Sequence, residues 1–189
     1  MRSPDSHATG FVKDPVQPLR YDGQETAEMI PFEAIGILRS FTPNGVRVLD
    51  VGCGTGSVTR IINRDKGNAV FGIEPDPTRA ELARSRGIDV FCGTLTEEYF
   101  AGKEPFDIVI FADVLEHVAD PAELLRLASI GLKSGGIVLV SVPNVAHWTI
   151  RLDLLLGRFN YTETGIMDAT HLRWFTRKTI QHLLFSEGF

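Results

Sequence analysis

From residue 46 onward, short apolar runs alternate with longer amphipathic ones. Residues 46–51 (VRVLDV) form the first apolar run, and residues 57–64 read as a helix behind it. Residues 69–73 are a second strand, and residues 77–86 a second helix that stops at Gly87. Residues 88–91 give a short third strand, and residues 106–111 (FDIVIF) a fourth, apolar except for its acid. A helix over 121–132 leads to a fifth strand at 137–142 (IVLVSV). Strands that are apolar on both faces and separated by helices predict a parallel sheet covered on both sides. Right-handed crossovers then make the fold class α/β, with a doubly wound sheet.

The flanks break this alternation. Residues 1–20 carry Pro4, Pro15 and Pro18 with no periodicity, and read as a flexible arm. Residues 24–40 look helical, with Ala27, Ile30, Ala34, Ile35 and Leu38 near one face; Pro31 interrupts this helix or starts a second one. Pro43-Asn44-Gly45 is a turn. Beyond the fifth strand, residues 144–173 mix aromatics, arginines and histidines. Within them WTIRLDLLLGRF (148–159) predicts an amphipathic helix that packs on or caps the domain, with a membrane-surface or partner-binding face as the other reading. Residues 176–187 form a last helix, capped by Thr176 and stopped by Gly188.

Composition narrows the class. An apolar fraction of 43% and a charged fraction of 23% suit a globular domain. The net charge of −5 argues against a general nucleic-acid binder. Cys53 and Cys92 give no disulfide framework, which suits a reducing cytoplasm. No apolar run reaches the roughly 18 residues of a membrane span, and MRSPDSHATG lacks the apolar stretch of a signal peptide.

The candidate chemistry starts at VLDVGCGTG, where a strand runs into Gly52, Gly54 and Gly56. The spacing is G-x-G-x-G, whereas a dinucleotide loop has G-x-G-x-x-G and would place its third glycine at Ser57. Asp50 decides further. A carboxylate at the end of the strand suits a ligand with a cationic group and suits a pyrophosphate poorly. S-adenosylmethionine carries an ammonium and a sulfonium. Glu74, at the end of the second strand, stands where a carboxylate accepts from a ribose diol.

DVGCGTG with its following acidic strand end resembles class I S-adenosylmethionine-dependent methyltransferases. FDIVIFADVLEHVADP (106–121) and GLKSGGIVLVSVPN (131–144) resemble that family's later motifs. PNVAHWTIRLDLLLGRF resembles a bacterial branch with ubiquinone-biosynthesis-like and methionine-biosynthesis MetW-like proteins. The resemblance covers residues 21–189 and implies a Rossmann-like sheet of spatial order 3-2-1-4-5. The family fold adds a hairpin of strands six and seven, which the sequence lacks, so a truncated C-terminus is expected. The implied cofactor is S-adenosylmethionine. Asp50, Gly52, Cys53, Gly54 and Gly56 would hold its methionine end, and Glu74 its ribose with Pro75 alongside. Thr94 and Leu95 would flank the adenine, where the family often has an Asp that this chain lacks. Asp113 and Val114 would sit near the methionine moiety.

Methyl transfer is an in-line displacement, and an acceptor that must lose a proton needs a base. His117, His147 and His171 are the candidates, with His117 foremost because it follows the strand across the switch point from the glycine loop. Glu116 and His117, with Asp113 nearby, would also allow a divalent metal, although no spacing requires one. Residues 143–175 are expected to form the acceptor lid. There Trp148, Phe159, Tyr161 and Trp174 would line an apolar cleft, and Arg151, Arg158 and Arg173 would meet an anionic acceptor. The leading function is methylation of a small molecule, with oxygen favoured as acceptor. The rivals are a non-catalytic S-adenosylmethionine-binding partner protein and, behind it, an NAD-dependent oxidoreductase.

Overall fold

A computed structural model describes residues 31–189. The arm expected over residues 1–20 and the part of the first helix before Pro31 lie outside the described residues. Pro31 immediately precedes helix α1 (Phe32–Phe41), so it starts a helix, as a residue with preset φ and no N–H suits. Ile35 and Leu38 bury one side of α1.

Five strands follow: β1 (Arg47–Val51), β2 (Ala69–Glu74), β3 (Asp89–Cys92), β4 (Phe106–Ala112) and β5 (Leu132–Ser141). Every pairing is parallel and the spatial order is β3-β2-β1-β4-β5, the order expected from the sequence. Helices α2 (Ser57–Asn63), α3 (Pro77–Ser85) and α4 (Pro121–Gly131) connect successive strands. Asp76 and Asp120 cap α3 and α4 by accepting from the backbone N–H three residues on, and each helix opens with a proline.

The apolar runs of the sequence become the two faces of the sheet. Leu49, Val109 and Phe111 face one side and pack with Leu125 and Ala128 of α4. Val48, Ile108 and Ile110 face the other and pack with Ile35, Leu38, Val58 and Ile62 of α1 and α2. Each such fully buried side chain contributes about 1.5–3 kcal/mol.

β1 and β4 are neighbours although β2 and β3 intervene in sequence, so their C-terminal ends flank the switch point of the sheet. That is where ligands bind in open α/β sheets.

Three elements differ from expectation. β5 begins at Leu132 rather than 137, because a register shift opposite Phe106 and Ile108 absorbs the Gly-rich KSGG segment into the strand. Gly135 takes φ +75° there, and Lys133 Nζ lies 2.7 Å from Asp107 Oδ1. Helix α5 (Trp148–Leu155) forms where WTIRLDLLLGRF predicts it, but it buries no residue and leaves Leu155 84% exposed. Only Thr149 and Ile150 are half-buried, so its packing on the domain is slight. Helix α6 (Arg177–Ser186) carries a capping box between Thr176 and Thr179, a stronger start than the single cap expected. Its Ile180, Leu183 and Leu184 pack on the α4 side of the sheet.

Candidate active site

A cavity of about 570 Å³ opens at the C-terminal ends of β1, β2 and β4. Its volume suits a cofactor or drug-sized ligand. The strand-to-loop transitions expose its lining. After β1 the chain turns through Gly52, Gly54 and Gly56, each with positive φ. A side chain at Gly52 would meet Val114 Cγ2 at 2.7 Å, so only glycine lets the loop pass this close to β4's exit. Gly56 serves packing instead, since a Cβ there would strike Ile88 Cδ1 at 2.4 Å.

Glu74 is 3% exposed at the end of β2 and lines the cavity. Its two oxygens are held by backbone: Oε2 accepts from Gly54 N at 2.8 Å and Oε1 from Asp76 N at 3.0 Å. The carboxylate thus fixes the glycine loop while presenting negative charge to the cavity. Gly93, Thr94 and Leu95 continue the lining after β3, and Gly93 N donates to Glu74 O.

A second group forms around the exit of β4. Asp113 sits at φ +52°, a conformation that costs a non-glycine residue about 1–2 kcal/mol. The Ser141 hydroxyl of β5 donates to its Oδ1 at 2.6 Å. Burial raises the Asp113 carboxyl above the ordinary carboxylate range, against the lowering effect of that bond. The 3₁₀ turn Leu115–His117 follows and carries Glu116 inward to 1% exposure. Burial, and then the Asp113 charge, push its carboxyl up to about 8.

Residues 165–171 fold back over this turn. Leu172 N and Arg173 N both donate to Glu116 O, which pins the segment in place. His171 thereby stacks edge-on against His117, with ring centroids 4.8 Å apart. Burial and then the His171 charge hold His117 below the usual imidazole range. A chain runs from Asp168 Oδ1 to Thr170 Oγ1 at 2.7 Å and on to His117 Nδ1 at 3.2 Å.

The structure therefore brings Gly52, Gly54, Glu74, Pro75, Thr94, Leu95, Asp113, Val114, His117, His147 and His171 around one cavity. His147 lies at its exposed side, where Nδ1 meets Thr149 Oγ1. Asp50, Cys53 and Gly56 do not line it. Cys53 packs with Ala80, Ala83, Ile88 and Val90 against α3, and burial pushes its thiol up. Asp50 is 1% exposed beneath the loop, where Oδ2 accepts from Thr59 Oγ1 at 2.6 Å and Oδ1 has no partner. Burial pushes its carboxyl up to about 7, with the Thr59 bond opposing and the Glu74 charge adding. The side-chain period of two explains where Asp50 points. Val51 faces the cavity, so Asp50 faces α2.

The expected acceptor lid is corrected in part. Asn144, His147, Gly165, Ile166, Asp168 and His171 line the cavity from that segment. Trp148, Phe159, Tyr161 and Trp174 do not: Phe159, Tyr161 and Trp174 stack on one another, and Trp148 is 67% exposed. Arg151, Arg158 and Arg173 are also absent from the lining, and Arg173 donates to Ala119 O. The basic residue at the cavity is Arg79 of α3, which sequence reasoning did not select. Asp168 and Ser141 were missed as well, because neither sits in a motif with its partners.

The comparisons with known proteins agree with this architecture. A family model described as a methyltransferase domain matches residues 21–189. The chain belongs to the methyltransferase-domain family. The fold and the S-adenosylmethionine cofactor expected from the glycine loop are those of S-adenosylmethionine-dependent methyltransferases.

Relatives of this methyltransferase domain include the ubiquinone biosynthesis O-methyltransferase of Caulobacter vibrioides, 39% identical over 106 residues, covering 53% of this chain and 42% of that protein. The protein of the same name from Idiomarina loihiensis is 30% identical over 80% of this chain and 60% of its own length. The chain spans about half the length of the curated relatives it matches. Among solved structures, a SAM-dependent methyltransferase of Thermotoga maritima, titled a possible histamine N-methyltransferase, superposes with a TM-score of 0.64 at 24% identity, over 82% of this chain and 69% of its own. The [4+2]-cyclase SpnF superposes at 0.62 and 22% identity, over 82% and 56%. These two show the fold, and the cyclase shows that the fold hosts more than one chemistry.

No helix among the described residues is long and apolar enough to cross a membrane.

Proposed function

We propose that this domain transfers a methyl group from S-adenosylmethionine to a hydroxyl oxygen of a small acceptor. One observation carries the reading: the glycine loop with Glu74, and the acid–imidazole group of Asp113, His117, Asp168 and His171, share a single cavity. When bound, the cofactor supplies an activated methyl on a sulfonium. The site fits it on two counts. Gly52 leaves room that a Cβ would fill, and the carboxylates of Glu74, Asp113 and Asp168 suit a cationic ligand better than a pyrophosphate.

In this reading the backbone of Gly52 and Gly54 receives the methionine end, and Glu74 the ribose hydroxyls with Pro75 beside it. Thr94 and Leu95 flank the adenine, while Asp113 and Val114 border the methionine moiety. Asp50 and Gly56 act one step back, by holding α2 and the loop. Glu116, His117 and His171 form the place where an acceptor hydroxyl gives up its proton. Oxygen is favoured because the curated relatives carry the name O-methyltransferase. The two free thiols suit a reducing compartment such as the cytoplasm.

The test is calorimetry with S-adenosylhomocysteine and with NAD, followed by labelled methyl transfer to a panel of hydroxylated aromatic acids. Binding of S-adenosylhomocysteine and label in an ether product are expected. Tight NAD binding without S-adenosylhomocysteine binding would sink the reading. Cofactor binding with no transfer to any acceptor would favour a non-catalytic partner protein.

A further inference from the structure

We infer that Glu116, His117 and His171 together bind one divalent first-row transition-metal ion, with coordination positions left open toward the cavity. The first observation is the cluster itself. One ligand atom from each of the three residues lies within 4.8 Å of the other two. Donors on a common ion at about 2.1 Å sit some 3.0–3.5 Å apart, so modest side-chain rotation closes the set.

The second observation is Glu116. It is 1% exposed, and neither of its carboxylate oxygens has a hydrogen-bond partner. A carboxyl buried without partners is strongly destabilising, whether charged or neutral. A neutral carboxyl would leave its own proton unpaired too. Neighbouring Asp113 and Asp168 add negative charge rather than relieving it. A cation answers all three acids at once.

The third observation is how the histidines are held. His171 Nδ1 lies 3.2 Å from Ile166 O, and a carbonyl can only accept. Nδ1 is therefore the donor of this contact, and Nε2 is the nitrogen left for a ligand bond. At His117 the Thr170 hydroxyl directs its single proton to Asp168 Oδ1, so His117 Nδ1 is the donor toward Thr170 Oγ1. Each ring is thus held from behind through Nδ1, one by a carbonyl and the other by a hydroxyl–carboxylate relay. Metal-ligating histidines are oriented in this way.

The donor set of two imidazoles and one carboxylate suits zinc, manganese, iron(II) or cobalt better than calcium. His117 and His171 line the cavity, so the open positions face the acceptor. The role that follows rests on the methyl-transfer reading. An acceptor hydroxyl on the ion loses its proton to water more readily. Its oxygen lone pair then forms the O–CH₃ bond, while the C–S pair returns to sulfur. Proton removal would then need no separate base.

The experiment uses the full chain, stripped with a chelator and titrated with Co²⁺ while visible d–d absorption is followed. A parallel calorimetric titration with S-adenosylhomocysteine is run without metal. Saturable one-to-one Co²⁺ binding is expected in the wild type. Glu116→Gln and His171→Gln should weaken it at least about 10-fold, the range seen for lesser outer-shell changes. Glu116→Gln should fold at least as well as the stripped wild type, since it removes the buried charge. Absence of Co²⁺ binding at millimolar concentration overturns the inference, as does binding undiminished in both variants. If S-adenosylhomocysteine binds and Co²⁺ does not, the inference fails and the methyltransferase reading stands. If Co²⁺ binds and S-adenosylhomocysteine does not, the site stands and its catalytic role falls.

Discussion

Asp50→Asn should make folding stability less dependent on pH. The side chain is buried beneath the glycine loop with one oxygen on Thr59 and the other unpaired. Burial first of all moves its carboxyl from 3.8 to about 7, with the Glu74 charge adding to that effect. Between those two values the native protein holds a proton that the unfolded chain has released. Stability therefore falls as pH rises through that window and levels off above the native value. The full displacement corresponds to about 4 kcal/mol at 1.36 kcal/mol per pH unit. Asparagine keeps the acceptor for Thr59 and does not titrate.

Urea denaturation of both proteins at pH 5, 6, 7 and 8 gives the difference in stability at each pH. Contributions from carboxyls that do not interact with Asp50 cancel in that difference. The variant should gain on the wild type by on the order of 2–3 kcal/mol between pH 5 and pH 8. Parallel curves, or a gain toward low pH, would refute the idea that Asp50 is a desolvated acid. The variant should also bind S-adenosylhomocysteine within a few-fold of the wild type, since Asp50 does not line the cavity.

Other changes test other parts of the structure. Glu74→Gln places an amide NH₂ against either Gly54 N–H or Asp76 N–H, and should cost about 1–3 kcal/mol in urea denaturation. It should also weaken S-adenosylhomocysteine binding in calorimetry by 10-fold or more, on the order of 1.4 kcal/mol. Gly52→Ala forces a Cβ against Val114 at positive φ and should cost about 1–3 kcal/mol. Val114→Ala should recover at least about 0.5 kcal/mol of that loss in the double mutant, as a thermal-denaturation cycle can show. Thr176→Ala removes the α6 cap and should cost about 1 kcal/mol while leaving S-adenosylhomocysteine affinity unchanged.

The sheet was legible because its information is local. FDIVIF, IVLVSV and VRVLDV are apolar on both faces, and only a strand covered twice accommodates that pattern. The glycine spacing and the two strand-end acids named the cofactor class for a similar reason, since they lie on one turn and its neighbour. Glu74 lines the cavity because strand ends point into the crevice of such a sheet.

Asp50 shows the boundary of that reasoning. Its position in sequence is correct for the motif, but strand alternation turns it under α2, and only the packed structure shows that Val51 takes the cavity side. The acid–imidazole cluster lies beyond the boundary altogether. Glu116 and His117 are separated from His171 by more than fifty residues of chain, and no local pattern links them. Backbone bonds from Leu172 and Arg173 to Glu116 O close that gap. The aromatics and arginines of residues 148–174 looked like a binding surface by composition, yet they stack on one another, turn to solvent or, as Arg173 does, bond to backbone. Sequence by itself determined the parallel sheet and the cofactor loop, because neighbouring residues and their period carry that information, while the strand order came with the family resemblance. The tertiary structure alone decided which acids face the cavity and which imidazoles meet, because those contacts depend on how distant segments pack.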